Sequence, residues 1–270
     1  MSVWLTIPSA RPPAEANPVL RKWRDMGYSL ALWLEPGTRT PPDCAFAIHR
    51  EYPGYAVAVN TIIEDLCSSD GWGDDPQWFV IGGDDTLPDP NKRADEIARE
   101  CSNYFGYKHG YAAKCAVAKG ESIADTYQRC YGAFQDAWKQ GETFGVMQPT
   151  GDRYAGGQID RICGSAWIGR EFAKRAYLGN GPLWPDYTHM FVDEELQEVA
   201  KRYGVLWQRP DLTQLHMQYC RESAAIDSPA KEAKPPDHIT HDGYTSEHWE
   251  KYQKIFNERK AAGFPGSELL

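Results

Sequence analysis

Between Trp78 and Asp85 the chain reads Trp-Phe-Val-Ile-Gly-Gly-Asp-Asp, four apolar residues that stop on two glycines and two neighbouring carboxylates before Pro88 and Pro90 break the chain. A short apolar run closed by turn residues suits a strand buried on both faces, the kind that fills a parallel sheet covered by helices. In such sheets ligands gather outside the carboxyl ends of the strands, so this strand is expected to deliver Asp84 and Asp85 to a site. Carboxylates there suit a hard divalent cation, Mg²⁺ or Mn²⁺, which takes one or two of them and fills its other positions with water and substrate phosphate. Asp and Gly are also ordinary turn residues, and capping the turn would account for the pair equally well.

The flanking sequence agrees with such a sheet. Val3 to Ile7 reads as a strand stopped by Pro8-Ser9-Ala10-Arg11-Pro12-Pro13, Asn17 to Met26 as a helix closed by Gly27, and Ser29 to Leu34 as a strand ending at Glu35-Pro36-Gly37. Strand, helix and strand joined by short loops open a doubly wound parallel sheet. Val57, Ile62 and Leu66 space a helix over Gly54 to Leu66, and Phe144 to Pro149 is a further strand. The apolar run Ile162 to Gly169 precedes a helix over Arg170 to Tyr177; a helix over 194–203 and a strand from Val205 to Trp207 follow. Residues 91–141 read as helical or irregular and carry no assignable chemistry. Residues 228–243, rich in Pro, Lys and Asp, read as a linker. Trp249, Tyr252, Ile255 and Phe256 then recur at helical spacing. The expected organisation is an α/β domain over 1–227, with 228–270 forming a linker and an amphipathic helix that packs back on it.

At 270 residues the chain is long enough to bury one such core. Its net charge of −9 opposes a broad nucleic-acid surface, which is driven by Lys and Arg. Arg153, Arg161, Arg170, Lys174 and Arg175 could still make one face locally positive. Ten Trp and fifteen Tyr exceed the usual share; such rings line sugar or base pockets, or fill cores. The seven cysteines are odd in number, scattered and never in a Cys-x-x-Cys pair, which indicates neither a zinc site nor a disulfide framework. With no leader-like N-terminus and no membrane-length apolar run, a reduced, cytoplasmic setting is expected.

Several features fall in order along the chain: Pro8-Ser9-Ala10-Arg11 after the first strand, Glu35 after the second, Asn60 on a helix, Gly83-Asp84-Asp85, then Asp193-Glu194-Glu195 and His216. Together, over about residues 3–220, they resemble a GT-A fold, Rossmann-like glycosyltransferase that uses a nucleotide sugar as donor. The wording of Phe144 to Pro149, Cys163 to Phe172 and His189 to Leu196 also resembles bacteriophage glycosyltransferases.

That resemblance implies roles. Gly83-Asp84-Asp85 stands where the family carries its Asp-x-Asp signature, with Gly83 in place of the first acid. Asp85 corresponds to the acid that binds Mn²⁺ or Mg²⁺, Asp84 is left for the donor ribose or a metal-bound water, and His216 completes the metal shell. Pro8, Ser9, Arg11 and Glu35 correspond to the nucleotide pocket, in which Arg11 can pair with phosphate, and Asn60 lies on the helix that closes over the donor. Asp193 stands where an inverting transferase keeps its general base, with Glu194 in reserve. Gly164, Arg170, Trp184 and His189 are candidates for the acceptor side. From the residues alone, Asp193 is equally a helix N-cap with glutamates favoured in the first turn.

The implied donor is a UDP-sugar. The acceptor is either a hydroxymethylated pyrimidine in DNA, with the basic cluster following phosphates and the base extruded, or a glycan held in an aromatic groove. Two other classes stay open: a nucleotidyltransferase using Asp84 and Asp85 with two metals, and a non-catalytic carbohydrate-binding protein.

Overall fold

The computed structural model describes residues 1–68, 76–113, 120–152, 164–217 and 246–270. Its frame is a seven-stranded sheet in the order β3-β2-β1-β4-β7-β6-β8. The strands are β1 (Ser2–Pro8), β2 (Ser29–Leu34), β3 (Phe46–His49), β4 (Pro76–Val80), β6 (Val146–Pro149), β7 (Trp167–Gly169) and β8 (Leu206–Arg209). β7 runs antiparallel to both its neighbours, and every other pairing in this sheet is parallel. The fold is therefore α/β, with a mixed, mainly parallel sheet flanked by helices. A two-stranded ribbon stands beside it, in which β5 (Thr86–Leu87) pairs with β9 (Leu215–His216).

Side chains alternate across the sheet, as the strand period of two requires. Val3, Leu5 and Ile7 pack with α1 (Pro13–Asp25) and α3 (Ala94–Ala112) on one face. Trp4 faces the other way, onto α2 (Tyr55–Ser68), α5 (Arg170–Arg175) and α6 (Val192–Arg202). Buried side chains on both faces explain the apolar runs Leu30–Leu34 in β2 and Trp78–Ile81 from β4 onward.

Residues 91–141 contain two long helices, α3 and α4 (Ile123–Gly141), which pack on each other. Helix α1 starts at Pro13, ahead of the expected Asn17, because proline at the first helical position gives up an N–H that has no partner there anyway. The last helix, α7 (Ser246–Ala261), packs on the α6 face. Its Tyr252 hydroxyl is 2.6 Å from the Thr188 hydroxyl, and Arg259 makes two bonds of 2.8 and 2.6 Å to the Glu195 carboxylate. Glu195 also accepts from Tyr177 and Tyr187, at 3.0 and 2.9 Å.

Cys130 on α4 is disulfide-bonded, whereas the Cys44 and Cys101 thiols are not. The scattered cysteines gave no sign of this bond, since spacing along a chain does not reveal which thiols folding brings together. Arg153, Arg161 and the linker expected over 228–243 lie outside the described residues. Among the described residues no helix is long and apolar enough to cross a membrane.

Candidate functional site

The strand order creates the site. The chain winds outward from β1 to β3 and returns as β4 on the opposite side of β1, so a crevice opens between the carboxyl ends of β1 and β4, the place where open α/β sheets bind ligands. Pro8 ends β1 at this rim, and the Ser9 amide bonds the Trp33 carbonyl of β2 at 2.9 Å. Opposite it, the turn after β4 presents Asp84 and Asp85, both buried.

Buried carboxylates need partners, and β1 supplies them. The Ser9 hydroxyl donates to Asp84 at 2.8 Å, while the Arg11 backbone amide and Nε reach the same carboxylate at 3.2 and 3.0 Å. Burial pushes the Asp84 carboxyl up, with Ser9 and Arg11 pulling against it. The Arg11 guanidinium also donates Nη2 to Asp85 at 3.0 Å. Two expectations change here. Asp84 is spent on tying the two strand ends together, and Arg11, itself buried, neutralises aspartates where a phosphate partner was expected. Both follow from burial, which forces charges to pair inside the protein.

Asp85 has a second partner. The β5–β9 ribbon aligns Thr86 with His216, and the Met217 amide bonds the Asp85 carbonyl at 2.8 Å. His216 Nε2 thereby comes to 3.2 Å from Asp85 Oδ1. Burial would raise the Asp85 pKa, but the hydrogen bond from His216 and the charges of His216 and Arg11 outweigh it and hold the pKa at about 2. The His216 backbone is fixed in turn by Asp152, which accepts its amide at 3.1 Å. Asp152 follows β6 at the same edge of the sheet, so the strand-end rule applied to β4 would have found it.

Tyr55, the first residue of α2, was not foreseen. Its hydroxyl donates to the Gly82 carbonyl at 3.0 Å and accepts the Gly82 amide at 2.9 Å, pinning the turn that carries the acids. The exposed His189 ring stands edge-on to it, 6.4 Å between centroids. Burial raises the Tyr55 pKa, and the charges of both Asp193 and Asp85 add to the effect. Asp193 is thus within electrostatic reach of the Asp85 turn. Its own carboxyl is raised by burial, with its own amide, the Glu194 amide and the His216 charge pulling down. The helix cap is Phe191, in the left-handed region at φ 67°, and Asp193 lies one residue inside α6 rather than at the cap. Glu194 follows it, half-buried, and donates its amide to Asp193 at 3.1 Å.

The other candidates scatter for clear reasons. Glu35 is exposed at the carboxyl end of β2, one strand from β1. Gly164 is exposed beside the Asp84 turn, because the Ile81 amide bonds the Ala166 carbonyl at 3.0 Å. Arg170 is at the opposite edge. β7 is antiparallel, and its Gly169 faces Trp78 near the start of β4. Lys174 and Arg175 follow in α5, where Arg175 bonds the Leu270 carbonyl and stacks on Phe144. The described part of the basic cluster therefore faces away from the site. Asn60 is buried with its amide consumed by loop backbone: Nδ2 donates to Asn180 and Leu183 carbonyls at 3.3 and 2.7 Å, and Oδ1 accepts the Leu183 amide at 3.1 Å. It clamps a loop instead of closing over a donor. Trp184 lies beneath α7, with the Arg259 guanidinium 3.5 Å from its ring centre, so one face of its ring is taken.

Asp85 and His216 offer one oxygen and one nitrogen 3.2 Å apart, close to the ~3 Å between neighbouring ligands of an octahedral cation with ~2.1 Å bonds. One guanidinium shared by two carboxylates leaves anionic character there when the His216 imidazole is neutral, the form in which its Nε2 can ligate a metal. The pair fits a cation that draws its remaining ligands from water and substrate phosphate. Among the described residues no third His, Cys, Asp or Glu joins them in a metal-binding group.

No family model and no curated protein matches the chain. Among solved structures it is similar to the catalytic domain of Drosophila beta1,4-galactosyltransferase 7 in complex with xylobiose, at 11% identity and a TM-score of 0.42, over 90% of this chain and 82% of that one. A mutant of the same Drosophila enzyme, in complex with manganese, UDP-Gal and xylobiose, matches at 9% identity and a TM-score of 0.38, over 91% and 82%. Likenesses this distant leave the weight on the site's own geometry.

Proposed function

We propose that the chain is a metal-dependent, inverting glycosyltransferase that moves a sugar from a nucleotide diphosphate sugar, a UDP-sugar in the first instance, to an acceptor hydroxyl. One observation carries this reading. At the crevice between β1 and β4, the Asp85 carboxylate and the His216 imidazole stand 3.2 Å apart, close enough to share a cation.

Asp85 and His216 would hold Mn²⁺ or Mg²⁺, which when bound supplies positive charge to the departing diphosphate. Ser9 and Arg11 keep Asp84 and Asp85 in register, and Tyr55 keeps Gly82 from shifting. The exposed Glu35 at the rim can accept hydrogen bonds from a base or ribose hydroxyl. Asp193 accepts the proton of the acceptor hydroxyl; the acceptor oxygen then bonds to the anomeric carbon as its bond to the diphosphate breaks and the configuration inverts. A base of raised pKa suits that task, because a proton acceptor works best with a pKa near the working pH. His189 beside Tyr55 and the exposed Gly164 remain the candidates for acceptor contacts. With Arg170, Lys174 and Arg175 at the opposite edge, a saccharide hydroxyl is favoured over a base in DNA.

The test is calorimetric titration with UDP, GDP and CDP, with and without Mn²⁺, on the native chain and on Asp85→Asn. Cation-dependent binding of one nucleotide, lost in the variant, is expected. Binding that ignores both the cation and the variant refutes the reading. Turnover should release a nucleoside diphosphate; release of a monophosphate would instead mark chemistry at the α-phosphate.

A further inference from the structure

The α3–α4 hairpin, none of whose residues belongs to the site above, carries a groove of about 680 Å³ lined by Asn103, Tyr104, Tyr107, Lys108, Tyr111 and Trp138. The sequence builds it from two glycines. A Cβ on Gly106 would come 2.7 Å from the Trp138 ring, and one on Gly110 equally close to Phe134, so only glycines one helical turn apart let the α4 rings lie flush against α3. Positions 104, 107, 108 and 111 share one helix face and span ~10 Å. Tyr104 is held by parallel stacking on Trp207, at 4.1 Å and 4°. Tyr107 and Tyr111 touch at 4.6 Å between centroids yet are 53% and 71% exposed.

Contiguous rings left in water mark a binding surface, and the lining chemistry selects the ligand. Among the described residues no aliphatic side chain lines the groove. It offers ring faces, phenol hydroxyls, one amide and one ammonium. Tyr and Trp also crowd protein interfaces, so self-association is an outcome that the test below must separate. A nucleic-acid strand could stack on the rings but needs cations along its phosphates, and Lys108, the one cation among the described lining residues, donates to the Gly204 carbonyl in a chain of net charge −9. A sugar meets every condition, with its C–H face lying on a ring while its hydroxyls bond amide and phenol.

We propose that this groove is a separate saccharide-binding site that takes two or more consecutive rings of a neutral glycan. It rests on the groove alone and does not require the donor reading. The test uses the full chain without nucleotide or metal, titrated with cellohexaose, xylohexaose and chitohexaose and followed by calorimetry. The variant is Tyr107→Ala/Tyr111→Ala, whose exposed positions leave the fold unchanged, as an unaltered melting temperature would verify. At least one hexasaccharide should bind, about 10-fold more weakly to the variant as two stacking faces disappear, and with unchanged affinity to Asp85→Asn. The proposal is overturned if none of the three binds at millimolar concentration, if the tyrosine variant binds as well as the native chain, or if Asp85→Asn is the variant that loses binding. It is also overturned if the groove proves to be a self-association surface, seen as oligomers that the tyrosine variant dissolves.

Discussion

Replacing Arg259 with methionine tests how α7 is held and what it holds. Glu195 is fully buried, and its carboxylate accepts four bonds, two from Arg259 and one each from Tyr177 and Tyr187. Removing one partner of a buried ion pair costs about 3–5 kcal/mol, because the other charge is left without compensation. Here both tyrosine hydroxyls remain, which points to the lower end, and the loss of guanidinium stacking on Trp184 adds about 0.5–1 kcal/mol. The expected loss is therefore about 3–4 kcal/mol, or roughly 6–15 °C in melting temperature for a chain of this size. Urea unfolding, with the midpoint converted through an unchanged slope, measures it. The double variant Glu195→Gln/Arg259→Met should recover most of the loss, since no uncompensated charge remains. A loss below 1 kcal/mol in the single variant, or additive losses in the double, would refute a buried ion pair as the tie between α7 and α6.

Asp193→Asn should lower turnover by about 10²- to 10⁴-fold with nucleotide affinity intact; full activity in steady-state assays would locate the base elsewhere. Because the Asp193 carboxyl is raised by burial and must be deprotonated to accept a proton, turnover should climb with pH through a midpoint above the usual aspartate range. A pH profile whose acid limb sits at or below that range removes the assignment. Asn60→Ala strands the Leu183 amide and the two carbonyls that Asn60 served, which should cost about 1–3 kcal/mol in chemical denaturation without changing nucleotide affinity. Tyr55→Phe deletes both bonds to Gly82, and calorimetry should show weaker cation-dependent nucleotide binding as the acid-bearing turn loosens.

The buried parallel strands were the most legible part of the sequence. Ser29–Leu34 carries its own boundaries, because burial on both faces leaves an unbroken apolar run and turn residues close it. β5 and β9 left no such trace, since two residues have no periodicity, yet their pairing is what carries His216 to Asp85. Arg170 and Gly164 sit six positions apart in a short apolar segment, and nothing local says that the strand between them crosses the sheet against its neighbours. Arg11 and Asn60 took their donor-side roles from the resemblance rather than from any local signal. Which partner a buried guanidinium or amide takes is decided by the element packed above it, and tertiary packing is not written into spacing. Tyr55 illustrates the reverse: a helix-opening tyrosine has no motif, and its importance comes wholly from the glycine it meets.

The two-residue bridge between β5 and β9 also sets a temporal order. One ligand of the proposed cation pair is translated early and the other only after the whole sheet has been made. Since domains assemble progressively as a chain leaves the ribosome, a nascent copy has nowhere to retain the ion until its last short ribbon closes. Sugar chemistry would then be confined to chains that include His216, and fragments cut anywhere before that ribbon would be silent.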